Sequence, residues 1–168
     1  MKLRITLAVA AVLFLGNAAW AQEAPAADIF AGYSFISIDG GTDRETSHGW
    51  LANVGLNVHP NVGIVGDVGG HYEEGVDLLE YLGGVRFNGR ASGVNPFAQA
   101  LIGGVRFSFD GGGSDNFFAL GFGGGIDIPA SDAISVRAVQ FDWIPVNAFD
   151  EWETSPFRLG FGVVFHIQ

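Results

Sequence analysis

Asp67, His71 and Glu73 follow one another at spacings of four and two residues, which puts all three on one face of an extended chain. Carboxylates beside an imidazole can hold a divalent metal or move protons. Charged groups on one wall of a confined interior also need partners simply to exist there. The chain supplies such partners in Glu80 and Asp127 and in the arginines Arg86, Arg106, Arg137 and Arg158. We therefore read Asp67, His71, Glu73, Glu80, Arg86, Arg106, Asp127, Arg137 and Arg158 as a structural polar network. No catalytic, cofactor-binding or metal-binding residue is assigned.

Three further segments carry chemical possibilities. The glycines at 121, 123, 124 and 125 suggest a phosphate loop, yet no Gly-Lys-Ser/Thr follows and no helix pattern succeeds them. Asp110 and Asp115 bracket Gly-Gly-Gly-Ser and offer carboxylates to calcium, but without the spacing of a calcium repeat. Asp150, Glu151 and Glu153 surround Trp152 in an acidic stretch that would face a partner or divalent ions, although charge runs of this kind are usually just solvated. No cofactor is implied.

The elements that position these residues have a period of two. In the second run Trp50, Ala52, Val54, Leu56 and Val58 oppose Gly49, Asn53, Gly55 and Asn57. In the third, Val62, Ile64, Val68 and Tyr72 oppose Asp67, His71 and Glu73; in the fourth, Leu79, Tyr81, Val85 and Phe87 alternate with Glu80 and Arg86. The sixth sets Phe118, Leu120, Phe122, Ile126 and Ile128 against Ala119, Gly121, Gly123, Gly125 and Asp127, and the last sets Phe157, Leu159, Phe161, Val163, Phe165 and Ile167 against Arg158, Gly160, Gly162 and His166. Runs at 29–38, 97–109 and 133–143 alternate less cleanly. Arg137 and Asp142 fall on opposite phases, so a bulge is expected near Val139. Longer or more polar connections (39–47, 73–77, 110–115, 144–155) alternate with tighter ones (59–61, 88–95, 129–132), and Pro60, Pro96, Pro129, Pro145 and Pro156 sit in turns or at strand ends.

Composition says which way the strands face. The 168 residues include 26 Gly and no Cys, with 48% hydrophobic and only 15% charged residues and a net charge of -10. Absence of Cys excludes disulfide scaffolds, thiolate metal sites and thiol catalysis. The acidity excludes a nucleic-acid footprint. Lys2 and Arg4, an apolar run over 5–16 and Ala19-Trp20-Ala21 make a three-part signal peptide over 1–21. Residues 22–28 then form a short leader and 29–168 the single domain, in which Arg is the only basic residue besides His. No later run is long and apolar enough for a membrane helix. The aliphatic faces are nearly free of charge, whereas the opposite faces mix Gly with charges of both signs. In a soluble barrel such as a lipocalin-like carrier the interior is apolar and the exterior charged; a membrane barrel reverses this. The expectation is an all-β, eight-stranded antiparallel up-and-down transmembrane β-barrel. Its aromatic girdles are Tyr33, Phe35, Trp50, Tyr72, Phe107, Phe117 and Trp143 at the loop end and Phe30, Phe87, Phe97 and Phe165 at the turn end.

The stretch 118–143, with its Ala-Leu-Gly-Phe-Gly-Gly-Gly-Ile-Asp and Ser-Val-Arg-Ala-Val-Gln-Phe-Asp-Trp, resembles a hairpin of the OmpA-like or opacity-type small outer-membrane barrels. Ile-Phe-Ala-Gly-Tyr-Ser-Phe at 29–35 and Phe-Arg-Leu-Gly-Phe-Gly-Val-Val-Phe at 157–165 are similar to first and last strands of that superfamily. The resemblance covers most of 29–168 and implies an exported outer-membrane protein, monomeric, in contact with outer-membrane lipids and the barrel assembly machinery. The expectation is a barrel alone, with no peptidoglycan-binding domain following, so the wall-anchoring role of full-length OmpA-like proteins is not implied. The chain departs from the family in ending on Phe165-His166-Ile167-Gln168 rather than on an aromatic residue. Outer-membrane lipid A deacylases have barrels of similar size, but His48, His59, His71 and His166 all lack a Ser two positions on. A palmitoyltransferase-like site cannot be read from single residues. The resulting expectation is a non-enzymatic structural or surface-interaction protein; alternatives are a narrow small-solute channel and a secreted soluble carrier.

Overall fold

In the computed structural model, which describes residues 25–39, 44–73, 76–91, 93–109 and 111–168, the period-two runs are strands. They are β1 (Ala27–Asp39), β2 (Arg44–His59), β3 (Val62–Glu73), β4 (Val76–Asn88), β5 (Asn95–Phe109), β6 (Ser114–Pro129), β7 (Ile134–Trp143), β8 (Val146–Ala148), β9 (Glu151–Glu153) and β10 (Phe157–Ile167). The signal peptide expected over 1–21 lies outside the described residues. β1 begins two residues before the expected start of the domain, so Ala27 and Asp28 belong to the wall.

From β1 to β7 each strand pairs antiparallel with the next in sequence. β10 pairs with both β1 and β7, and β5 with β6, so that β1 to β7 and β10 are bonded in a ring of eight. The eight strands run from 10 to 16 residues, enough to cross a bilayer at a barrel's tilt. Ala27 of β1 and Ile167 of β10 lie at the end that carries the β2–β3, β4–β5 and β6–β7 connections, and the 144–156 connection, the longest between ring strands, lies at the opposite end.

The two faces of the wall differ as a membrane barrel requires. Adjacent residues show it best: Ile102 is 56% exposed and faces outward, while Leu101 is 3% exposed and faces the lumen. Val54, Leu56, Ile64, Val85, Phe122 and Phe141 continue the outward apolar surface, and Asp67, Glu80 and Arg158 are wholly buried inside. Consecutive glycines on β3 serve opposite faces. A Cβ on Gly69 would lie 2.6 Å from Glu80 Oε2, and one on Gly70 would lie 2.7 Å from the Trp50 indole nitrogen that covers it outside. The first glycine makes room for the lumen charges, the second for a girdle aromatic.

β7 carries the expected bulge. Its pairing with β6 slips between Ile126↔Val139 and Asp127↔Arg137, and its pairing with β10 slips at the same level. Ala138 and Val139 both face outward. The extra residue restores phase, so Arg137 and Asp142 both point inward.

Three expectations need correction. The connection expected over 144–155 contains a hairpin of its own: β8 continues the line of β7 along β6, through Phe118↔Asn147 and Ala119↔Val146, and turns back as β9. Phe149 and Asp150 make the two-residue turn with φ of 52° and 68°. Phe30 and Phe97 do not belong to a girdle but are buried in the lumen, and Phe107 and Phe117 turn inward at the loop-side mouth. Tyr33, Trp50, Tyr72 and Trp143 at one end and Phe87 and Phe165 at the other do face outward. Trp50 Nε1 donates to the Tyr72 hydroxyl at 3.2 Å, tying two strands at the girdle.

Candidate functional site: the lumen and its loop-side mouth

Confinement brings the inward polar groups into contact with one another, and two connected knots result. In the first, Arg158 on β10 is fully buried among three carboxylates. Its Nη1 donates to Glu80 Oε2 at 3.0 Å and its Nη2 to Asp142 Oδ2 at 2.8 Å, and Nη2 lies 2.9 Å from Asp67 Oδ1. His71 Nδ1 stands 3.4 Å from Glu80 Oε2, and its Nε2 hydrogen-bonds with the Ser34 hydroxyl at 2.6 Å.

The second knot holds two guanidiniums. Arg86 donates to Gln99 Oε1 at 2.9 Å, to Asn53 Oδ1 at 3.0 Å and to Asp28 Oδ1 at 3.3 Å. Arg137 binds Asp127 through two parallel bonds of 2.7 and 3.0 Å and Gln140 Oε1 at 2.7 Å. Phe97 lies 4.7 Å from the Arg86 guanidinium carbon and 4.3 Å from that of Arg137, which is also 4.4 Å from the Phe30 ring. These rings stack on cations, which explains why aromatics occupy a charged lumen. Asp142 joins the knots, accepting from Gln99 Nε2 at 2.8 Å and Gln140 Nε2 at 2.7 Å.

Of the nine residues expected to form the network, the structure thus gathers Asp67, His71, Glu80, Arg86, Asp127, Arg137 and Arg158. Glu73 and Arg106 stand apart. Glu73 has the expected phase but lies at the loop-side end of β3, exposed, accepting from the Ser47 hydroxyl at 2.6 Å. Arg106 faces outward, because Val105 and Phe107 take the inward phase of β5, and it donates to Ser114 at 2.8 Å. Asp28, Ser34, Asn53, Gln99, Gln140 and Asp142 complete the network and were not expected in it. Their signal was positional: Asn53 was already on the face opposite the aliphatics, and Asp142 needed only the bulge. Among the described residues no three His, Asp or Glu side chains are placed to hold a metal ion; Arg158 sits where a cation of the acidic knot would be.

Above the knots the lumen turns apolar. Ile36, Leu78, Leu82, Leu101 and Val105 pack with Ile144 and Val146, which the kinked start of the last loop carries inward. Ile144 is held there by a bond from its amide to the Pro156 carbonyl at 3.0 Å. A cavity of about 260 Å³ remains at this mouth, lined by Ile36, Ile38, Leu78, Val105, Phe107, Phe109, Phe117, Phe149 and neighbours, with Asp115, Glu153 and the wholly buried Glu80 also on its boundary. Phe149 meets Phe117 edge-on at 5.2 Å. At the turn end a wider polar recess of about 650 Å³ is bounded by Arg90, Asn95, Ser135 and His166 among others.

No family model and no curated protein sequence matches the chain. Solved structures do. Neisserial surface protein A (NspA) superposes with a TM-score of 0.73 at 12% identity, covering 87% of this chain and all of that one. The N-terminal β-barrel domain of Pseudomonas aeruginosa OprF gives 0.60 at 11% identity, covering 85% of this chain and 98% of that one. Ail, the attachment invasion locus protein of Yersinia pestis, gives 0.55 at 12% identity, covering 86% and 99%. With apolar strands outside and a charged lumen inside, the chain has the fold of the small eight-stranded outer-membrane β-barrels.

Proposed function

We propose that the protein is a non-enzymatic barrel of the outer membrane whose working surface is its loop end. The observation that carries this reading is the wall itself, with residues such as Ile64 and Ile102 more than half exposed outside while Arg137 and Arg158 are at most 1% exposed inside. Water would strip such a wall of its apolar cover, whereas lipid acyl chains supply it. A signal peptide over 1–21 delivers the chain, the assembly machinery inserts it, and the monomer then meets outer-membrane lipids. The buried knots and the apolar packing above them block the path that a channel would need.

The loops also say what kind of surface partner fits. Ail has been crystallised with the heparin analogue sucrose octasulfate. In this chain Arg44 and Arg106 are the only Lys or Arg in segments 39–47, 73–77, 106–115 and 144–155, which are rich in Asp and Glu. Such a surface repels sulfated polymers and suits cationic partners. The test is expression with the signal peptide, fractionation and gel migration with and without boiling. Outer-membrane recovery with a heat-dependent shift in migration is expected; recovery as a soluble protein would overturn the reading.

A further inference from the structure

We propose that the loop-side cavity is a binding site for a small quaternary ammonium cation, a trimethylammonium group on a short arm. The rings point to it first. Phe107 meets Phe117 edge-on at 5.8 Å and 65°, and Phe117 meets Phe149 at 5.2 Å and 67°, so differently tilted rings follow one another along the cavity wall, with Phe109 beside them. Aromatic faces attract cations, and quaternary ammonium groups are the ligands that clustered rings recognise. Phe149 is 84% exposed and has a φ of 52°, a backbone conformation unfavourable for a bulky residue. Strain of this kind collects where ligands are gripped, and this ring stands at the cavity rim. The volume agrees: an apolar cavity of about 150 Å³ holds one benzene, so about 260 Å³ takes a trimethylammonium group and its arm.

Charge and solvation then select the ligand. Asp115 and Glu153 stand exposed on the cavity boundary. Register puts them there: Asp115 shares the inward phase of Phe117 and Ala119 on β6, and Glu153 lies across from the inward Val146. Among the described residues no Lys, Arg or His lines the cavity, so the field at its mouth favours a cation. Deeper in, Ile36, Val105 and Ile144 accept no hydrogen bond from their side chains, and Glu80 Oε1, which has no partner among the described residues, is sealed from contact. A primary ammonium entering the cavity would give up its N–H bonds to water and regain none. A quaternary ammonium has no N–H to lose. A zwitterion that carries its own carboxylate meets the two acids of the rim and is repelled. This site deepens the reading of the loop end as a surface for cationic partners, and binding to the folded barrel is measured independently of where in the cell the barrel resides.

The test uses the folded protein in nanodiscs of phosphatidylethanolamine and phosphatidylglycerol, which carry no trimethylammonium. Methyl NMR of Ile36, Ile144 and Val105 follows titration with choline, its uncharged isostere neohexanol, ethanolamine and glycine betaine. Saturable shifts are expected with choline, at an affinity about tenfold or more above neohexanol and ethanolamine, and none with glycine betaine. Phe149→Leu, in an exposed turn, should weaken choline several-fold and leave neohexanol unchanged. Asp115→Asn/Glu153→Gln, on the exposed rim, should weaken choline and flatten its salt dependence. In discs containing phosphatidylcholine, the same shifts before choline is added name a lipid head group as the source, and shifts that still require added choline name the free solute. Shifts that grow linearly with choline, equal affinity for neohexanol or ethanolamine, or a choline affinity unchanged in both variants would each overturn the proposal.

Discussion

Arg158→Met is the sharpest perturbation of the lumen. The guanidinium has no exposure and stands within 3.0 Å of oxygens on Asp67, Glu80 and Asp142. Methionine keeps much of the volume but leaves three carboxylates facing one another with no cation between them. Removing one partner of a buried ion pair costs about 3–5 kcal/mol, and with three acids stranded the loss here should reach the upper part of that range. The assay is urea unfolding in lipid vesicles at neutral pH, followed by the fluorescence of Trp50, Trp143 and Trp152. A lower midpoint at unchanged slope is expected. The companion variant Arg158→Met/Asp67→Asn/Glu80→Gln/Asp142→Asn removes charge on both sides, and it should lose less than the single substitution, because stranded charge and not absent attraction is the larger cost. A single-variant loss under about 1 kcal/mol, or a companion less stable than the single variant, would refute the picture of a water-poor, charge-locked lumen.

Other consequences are as direct. Gly69→Ala should destabilise by about 1–3 kcal/mol, since its Cβ meets Glu80 Oε2 at 2.6 Å, whereas Gly66→Ala, with nothing within 4 Å, should be neutral; the same urea titration compares them. Ile102→Arg places a charge on the outward face in the middle of β5 and should cost about 2–4 kcal/mol in a bilayer, read from refolding equilibria in vesicles. Asp150→Gly relieves a φ of 68° in the β8–β9 turn and should stabilise that hairpin by about 1 kcal/mol, seen as slower amide exchange there. In planar bilayers the intact protein should show no steady conductance, since the knots occlude the lumen.

The strand pattern was legible wherever one face is aliphatic and the other is not, as on β3, β6 and β10. Even the bulge was legible, because Arg137 and Asp142 cannot both face a lumen from a regular strand. Sequence failed where polarity stops marking the face. On β5 the lumen is itself apolar near the loops, so Leu101 and Val105 look no more inward than Ile102, and Arg106 was placed on the wrong side. Glu73 had the right phase, but phase does not say where the wall ends. Phe30 and Phe97 read as girdle residues because aromatics favour interfaces; in the lumen they cover guanidinium groups instead. The β8–β9 hairpin escaped notice because its turn uses Phe149-Asp150 rather than the Asn-Gly that such backbone angles favour. The orphan oxygen of Glu80 and the cavity above it depend on side-chain placement across β1, β4 and β5 and on the last loop, which no periodicity encodes.

The central claim is the inside-out wall, and the chain's isoleucine, leucine and valine methyls report on it residue by residue. The decisive measurement is the set of nuclear Overhauser contacts between lipid acyl protons and these methyls in nanodiscs. Contacts are expected at Ile64, Val85 and Ile102 and absent at Val65, Leu82 and Leu101, which alternate with them and are at most 5% exposed. Acyl contacts at the second set, or none at the first, would contradict it.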